Sequence, residues 1–95
     1  MGKFNFSVDH SADKDSLKEY AEKFAQKYNA EWEWKSEYEC HFSGSDKGIT
    51  ISGVMNIKDS VVDVSLNLPL VAMPFKSTIK ETIVDGIRKV EAKQK

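Results

Sequence analysis

The sequence predicts an α+β fold, a two-layer sandwich with the order β-α-β-β-β-β-α, in which two helices cover one face of a mainly antiparallel sheet. Two segments repeat apolar residues at helical spacing, and five segments alternate apolar with polar residues. Short turn-forming stretches separate most of the alternating segments, which favours antiparallel pairing. Because each helix has one apolar stripe and the sheet has one apolar face, packing both helices on that face buries all three surfaces.

The composition describes one domain spanning residues 1–95, with 40% hydrophobic and 31% charged residues. The formal net charge is -1 and the two signs are interleaved, whereas nucleic-acid binding needs a basic stripe. The single Cys40 cannot form an internal disulfide, and no apolar run approaches the length of a membrane span. We therefore expect a cytoplasmic protein that binds no nucleic acid and has no membrane span, no metal and no cofactor.

The first strand and first helix follow each other at the start of the chain. The strand alternates with apolar residues at Phe4, Phe6 and Val8. The helix, from Asp13 onward, has an apolar stripe at Leu17, Tyr20, Ala21, Phe24 and Tyr28. Ser11 or Asp13 is the expected N-cap, and Ser16 with Glu19 offers an alternative capping box. Asn29 suits the left-handed residue that ends the helix.

Four further segments alternate in the same way, and their opposite face is polar apart from Val54. The apolar positions are Ala30, Trp32 and Trp34; Tyr38, Cys40 and Phe42; Ile49, Ile51, Gly53, Met55 and Ile57; and Val62, Val64, Leu66, Leu68 and Leu70. A two-residue turn at 59–60 pairs Ile57 with Val62.

Turn residues and charge predict the remaining strand pairs. A turn centred on 45–46 and flanked by Gly44 and Gly48 pairs Phe42 with Ile49 and sets Gly53 beside Tyr38. We interpret the missing side chain of Gly53 as room for a large neighbour rather than as a ligand approach.

The hairpin that follows the first helix has two candidate registers. Placing Trp34 opposite Tyr38 sets two glutamates against each other, which costs a few tenths to about 1 kcal/mol. Placing Trp34 opposite Cys40 instead pairs Lys35 with Glu39. The second register is therefore preferred.

The chain closes with a second amphipathic helix. Its apolar stripe comprises Phe75, Ile79, Ile83, Ile87 and Val90. Pro74 fits the first helical position, where its missing amide costs nothing. Gly86 inside the helix costs about 1 kcal/mol relative to Ala, so we expect close packing on the sheet to compensate.

Residues with catalytic or metal-binding chemistry are present but poorly arranged for it. Cys40 and His41 are neighbours on a strand, so they point to opposite faces and cannot act together. His10 is expected to support the turn into the first helix, since no second ligand lies at metal-binding spacing. The carboxylates of Glu31, Glu33, Glu37 and Glu39 are interpreted as a solvated sheet face rather than as a hydrolytic or cation-binding pair.

Two groups of apolar residues are candidates for binding. The aromatic residues Trp32, Trp34, Tyr20 and Phe24 either fill the core or line a ligand cavity between the helices and the sheet. The strand-to-helix junction contains Val71, Met73 and Phe75. Either Phe75 and one or two other residues fold back under the helix, or these side chains face outward as a contact surface. These alternatives stay open at the level of sequence.

The chain resembles the polyhydroxyalkanoic acid system family, a family of small bacterial proteins. The matching motifs, in chain order, are His10-Ser11, Trp32-Glu33-Trp34, Phe42-Ser43-Gly44 with Gly48, and LNLPLVAMPFKSTIKETI at 66–83. The resemblance implies association with polyhydroxyalkanoate granules or with polyester metabolism. It supplies no catalytic residue set.

Three functional hypotheses follow. The first is a non-enzymatic accessory or binding protein that contacts a polyester granule surface, or a granule protein, through the 71–75 junction. The alternative is a small-molecule carrier or minor enzyme with a cavity against the Trp-bearing strand. The third is a homodimer formed through the open sheet face or an edge strand.

Overall fold

The computed structural model describes residues 2–46 and 48–93. Its elements are β1 (Gly2–Asp9), α1 (Lys14–Lys27), β2 (Glu31–Ser36), β3 (Glu39–Asp46), β4 (Ile49–Ile57), β5 (Val61–Leu68), the 3-10 helix η1 (Leu70–Phe75) and α2 (Lys76–Lys93). The predicted α+β fold and the predicted order of strands and α-helices are confirmed. The 3-10 helix η1, which occupies the predicted strand-to-helix junction, was not predicted from the sequence.

The strands form one five-stranded sheet in the order β1-β5-β4-β3-β2, and every neighbouring pair is antiparallel. The first strand, whose place the sequence left open, pairs with β5 without interruption from Gly2 opposite Leu68 to Asp9 opposite Val61. The first and last strands of the chain, β1 and β5, are therefore neighbours in the sheet. The two edge strands are β1 and β2.

The predicted register of the β4–β5 hairpin is confirmed. Ile57 lies opposite Val62, and Gly53 lies opposite Leu66. The Lys58 amide donates to the Val61 carbonyl oxygen at 2.8 Å and closes the two-residue turn. The apolar residues of the two strands consequently share one face.

The predicted register of the β3–β4 hairpin is wrong. Phe42 lies opposite Gly53 rather than Ile49, because β3 continues as far as Asp46, which pairs with Ile49. Gly48, directly before Ile49, has a positive φ of +80°. Two-residue hairpin turns favour glycine at such positions, so the turn lies later in the sequence than predicted. The shift keeps Cys40 and Phe42 on the same face as Met55, because it is an even number of residues.

The preferred register between β2 and β3 is confirmed at its centre, where Trp34 lies opposite Cys40. A register shift between Trp34 and Ser36 then places Ser36, rather than Lys35, opposite Glu39. The predicted pairing of Lys35 with Glu39 is therefore wrong, and Lys35 forms its ion pair within β2 at 3.1 Å. A bulge of this kind also weakens an edge strand as a template for further pairing.

The predicted ends of α1 are confirmed. The Asp13 carboxylate accepts a hydrogen bond from the Ser16 amide at 3.2 Å, as an N-cap does. Asn29 has φ of 55°, in the left-handed region. Ser11, the other candidate cap, instead donates its amide to the Glu91 carboxylate at 2.7 Å and ties the start of α1 to the end of α2.

Buried side chains of both α-helices share one core with alternate residues of the strands. The core contains Val8, Ala12, Leu17, Ala21, Met55, Ile57, Val62, Val64, Leu66, Leu68, Ala72, Ile83 and Ile87. Tyr20 of α1 lies directly against Gly86 of α2, and a Cβ atom at Gly86 would collide with its ring. Close packing at Gly86 is confirmed, but the neighbour is the other helix and not the sheet.

Candidate functional site

The helix η1 holds an outward-facing group of apolar side chains. Leu70, Val71 and Phe75 are 77%, 62% and 60% exposed, respectively. Between them Ala72 is only 4% exposed, and its amide donates to the Pro69 carbonyl oxygen at 2.9 Å. The buried alanine and this hydrogen bond anchor η1 to the fold, so the three large side chains are presented on regular structure. We call Leu70, Val71 and Phe75 the apolar patch.

The three predicted junction residues therefore separate. Val71 and Phe75 are exposed, whereas Met73 packs against the core, with its Sδ and Cε atoms close to Gly2. The expectation that Phe75 folds under the helix is wrong. The α-helix begins only at Lys76, and Phe75 belongs to the preceding 3-10 helix, whose tighter winding changes the direction of its side chain.

Leu70 is a surface residue that was not predicted from the sequence. Because Leu66, Leu68 and Leu70 are spaced by two, the alternating pattern placed Leu70 on the buried face of the last strand. That strand ends at Leu68, and Pro69 starts the turn into η1. Pro69 was the available signal, because proline is unsuited to the interior of a sheet.

The large hydrophobic residues that are exposed in the described part of the chain are Leu70, Val71, Phe75, Tyr28 and Ile49. All of them lie at one end of the sheet. Ile49 starts β4 three residues before Ser52, where β4 begins to pair with β5, and Tyr28 caps α1 just before β2 starts at this end. The Tyr28 carbonyl oxygen also approaches Gly44 near the β3–β4 turn. We call these five residues the apolar end.

The opposite end of the molecule is polar and carries several ion pairs. Lys14 forms an ion pair with Asp59 at 3.1 Å, and Lys58 forms one with Asp63 at 2.8 Å. Glu91 of α2 accepts from Arg88 at 2.8 Å, and the Arg88 and Ser11 donors hold the pKa of its carboxyl at about 2. The two ends of the sheet thus differ in polarity.

Of the four candidate cavity residues, Tyr20, Phe24 and Trp34 pack against the core. The Trp34 indole N–H donates to the Glu22 carboxylate at 2.8 Å. The Tyr20 hydroxyl donates to the Ile83 carbonyl oxygen at 3.4 Å, and the Tyr20 and Phe24 rings are 5.9 Å apart. Trp32 lies opposite Phe42 in the sheet. The carrier hypothesis stays a prediction, which a ligand titration of Trp fluorescence tests.

Cys40 is 2% exposed, whereas His41 borders the open sheet face, as their opposite orientations on a strand require. Burial, reinforced by the negative charge of Glu22, raises the pKa of the Cys40 thiol to about 11. The His41 Nε2 atom instead lies 2.7 Å from the Glu39 carboxylate. A thiol with so high a pKa is a weak nucleophile at neutral pH.

His10 supports the turn into α1, as predicted. Its Nδ1 accepts from the Ala12 amide at 3.1 Å, so its Nε2 is the atom that donates to the Lys58 carbonyl oxygen at 2.7 Å. Across residues 2–46 and 48–93, no group of three or more His, Cys, Asp or Glu side chains is placed to hold a metal ion.

Two shallow depressions cross the open sheet face. One is bordered by His41, Ser52 and Val54, and the other by Asp63, Ser65 and, again, Val54. Two residues of the predicted acidic face, Glu31 and Glu33, border the first depression, and Glu33 forms an ion pair with Lys35. In the part of the chain that the structure describes, neither helix is long and apolar enough to cross a membrane.

These features define a class of protein: a small α+β protein with a five-stranded antiparallel sheet, two α-helices and an exposed apolar end. The chain belongs to the polyhydroxyalkanoic acid system protein family, whose family model matches residues 5–90, from β1 into α2. Comparison with curated proteins and with solved structures gives no match.

Proposed function

We propose that this protein is an accessory protein of polyhydroxyalkanoate storage that binds the granule surface through the apolar patch. The observation that supports the proposal is the exposure of Leu70, Val71 and Phe75 on one six-residue helix. Exposed apolar residues scattered singly are normal on a soluble protein, whereas a cluster of this kind is typical of an interaction surface. Family membership supports storage polyester as the target.

The way η1 is held favours binding to a surface. Ala72 is buried and Met73 packs on the core, so the backbone between the outward residues is fixed by the fold. A preorganised patch loses less conformational entropy on binding than a flexible loop would. Burying each large apolar side chain contributes about 1.5–3 kcal/mol, so a few such residues suffice for a specific association with an apolar surface.

The double variant Val71→Asp with Phe75→Asp tests the proposal. Both side chains are more than half exposed, so we expect the fold to tolerate the change. Losing two apolar contacts of about 1.5–3 kcal/mol each weakens binding by at least about 100-fold. Met73 is left unchanged because its side chain packs against the core. The measurement is co-sedimentation of the purified protein with isolated granules, and circular dichroism monitors the fold.

The matched control is Ser60→Asp with Ala92→Asp, which adds the same charge at exposed positions away from the apolar end. This control should sediment like the unaltered protein. Equal sedimentation of the unaltered protein and the patch variant would contradict the proposal. Repeating the assay on beads of purified polyester distinguishes the polymer from a granule protein as the partner, because only the polymer is present on the beads.

A further inference from the structure

Four exposed lysines border the apolar end without an ion-pair partner among the described residues. They are Lys3 at the start of β1, Lys27 at the end of α1, and Lys76 and Lys80 in the first two turns of α2. Lys18, Lys89 and Lys93 also form no ion pair among the described residues, and the paired cations are Lys14, Lys23, Lys35, Lys58 and Arg88. Glu31, Asp46 and Glu81 are acidic residues at the same end, so the four lysines leave a positive excess there.

Three of these lysines lie over aromatic rings. The Nζ atoms of Lys76 and Lys80 are 5.7 and 5.6 Å from the ring centroids of Phe4 and Phe6. The Nζ atom of Lys27 is 5.7 Å from the centroid of the Tyr28 ring. Contacts at this distance are weak and solvent-exposed. The ammonium groups are therefore free to turn toward an external anion.

We infer that the apolar end recognises an apolar surface that carries anionic lipid head groups, with these lysines contacting the phosphates. Apolar side chains bordered by unpaired lysines are the pattern that binds interfaces combining hydrocarbon with negative charge. The chain as a whole has a net charge of -1, so this preference depends on the local excess and not on overall attraction. The inference rests on the proposed function and specifies the chemistry of the surface.

Polyester beads coated with either an anionic or a zwitterionic phospholipid test the inference. We expect tighter binding to the anionic coat, by roughly fivefold for each lysine near the surface. The preference should largely disappear at about 1 M salt, where the screening length falls to about 3 Å. The variant Lys27→Gln with Lys76→Gln should lose roughly 25-fold in affinity for the anionic coat. Its affinity for the zwitterionic coat should change little.

The control Lys89→Gln with Lys93→Gln removes the same charge from exposed positions in the last turns of α2. It should keep the anionic preference. Equal affinity of the unaltered protein for the two coats, or equal losses in both lysine variants, would overturn the inference while leaving granule binding intact. Failure to bind either coated bead, in a protein that still sediments with isolated granules, would overturn the inference alone. Failure to sediment with granules would overturn the proposed function.

Discussion

Replacing Ile83 with Ala is expected to lower the free energy of unfolding by about 2–5 kcal/mol. Ile83 is fully buried, and it belongs to the core that α2 shares with the strands and with Leu17 of α1. The substitution removes apolar contacts and leaves a cavity between elements that meet only through side chains. Because a domain of this size has about 5–15 kcal/mol of stability in total, the loss is a large fraction.

Urea unfolding monitored by Trp fluorescence measures this effect. Glu81→Ala is the control, since Glu81 lies on the same helix and is exposed, and its change should stay within about 0.5 kcal/mol. If Ile83→Ala lowers the free energy of unfolding by less than about 1 kcal/mol, the apolar stripe of α2 that contains Ile83 does not pack on the core. Co-sedimentation of the folded fraction with granules should be unchanged, because Ile83 is not part of the apolar patch.

Gly53→Ala is expected to destabilise the protein by about 1–3 kcal/mol, although alanine normally suits a strand better than glycine. A Cβ atom at this position would lie 2.7 Å from the Ser65 carbonyl oxygen and 2.8 Å from atoms of Leu66 and Phe42. The Ser65 oxygen belongs to the backbone of the neighbouring strand, so relief of the collision must distort the sheet. A lower melting temperature, by about 4–8 °C for each kcal/mol, is the observable.

Gly44→Ala provides the comparison for Gly53. A Cβ atom there would lie 3.2 Å from the Cβ atom of Ala30, a tight contact with a small side chain. We expect a smaller loss of stability than at Gly53. A neutral or stabilising effect of Gly53→Ala would contradict the close approach of β5 to β4 at this position.

The strand pairs that turn chemistry or charge determines could be predicted from the sequence. A two-residue turn before Val61 set the β4–β5 register, and repulsion between like charges selected Trp34 opposite Cys40. Both are local effects within one hairpin. The bulge near Ser36 was not predictable in the same way, because shifting a single residue at an edge strand changes few contacts.

The β3–β4 register was predicted wrongly because two glycines were candidates for the turn. Gly44 and Gly48 both suggested the turn, yet only Gly48 has a positive φ, +80°. Gly44 is needed instead for the tight contact with Ala30, which belongs to a different segment of the chain. Periodicity cannot distinguish a glycine that turns the chain from one that admits a neighbour, since the neighbour is set by tertiary packing.

The apolar patch was only partly predictable for a similar reason. Val71 and Phe75 were candidates because apolar residues are unusual at a junction, but their direction depends on where α2 begins. Helical spacing extended the α2 stripe back to Phe75, whereas the structure starts the α-helix at Lys76. Tyr28 shows the same effect at the end of α1, where the last member of the predicted stripe is 50% exposed.

The most direct test of surface binding places an environment-sensitive dye on the apolar patch. Val71→Cys is labelled with a thiol-reactive dye, while the buried Cys40, whose pKa is about 11, stays largely unlabelled in the folded protein. Ser60→Cys, at an exposed turn away from the apolar end, provides the reference. We expect polyester granules to shift the emission of the dye at position 71 to the blue and to leave the dye at position 60 unchanged. Equal shifts at both positions, or none at position 71, would contradict binding through the apolar end.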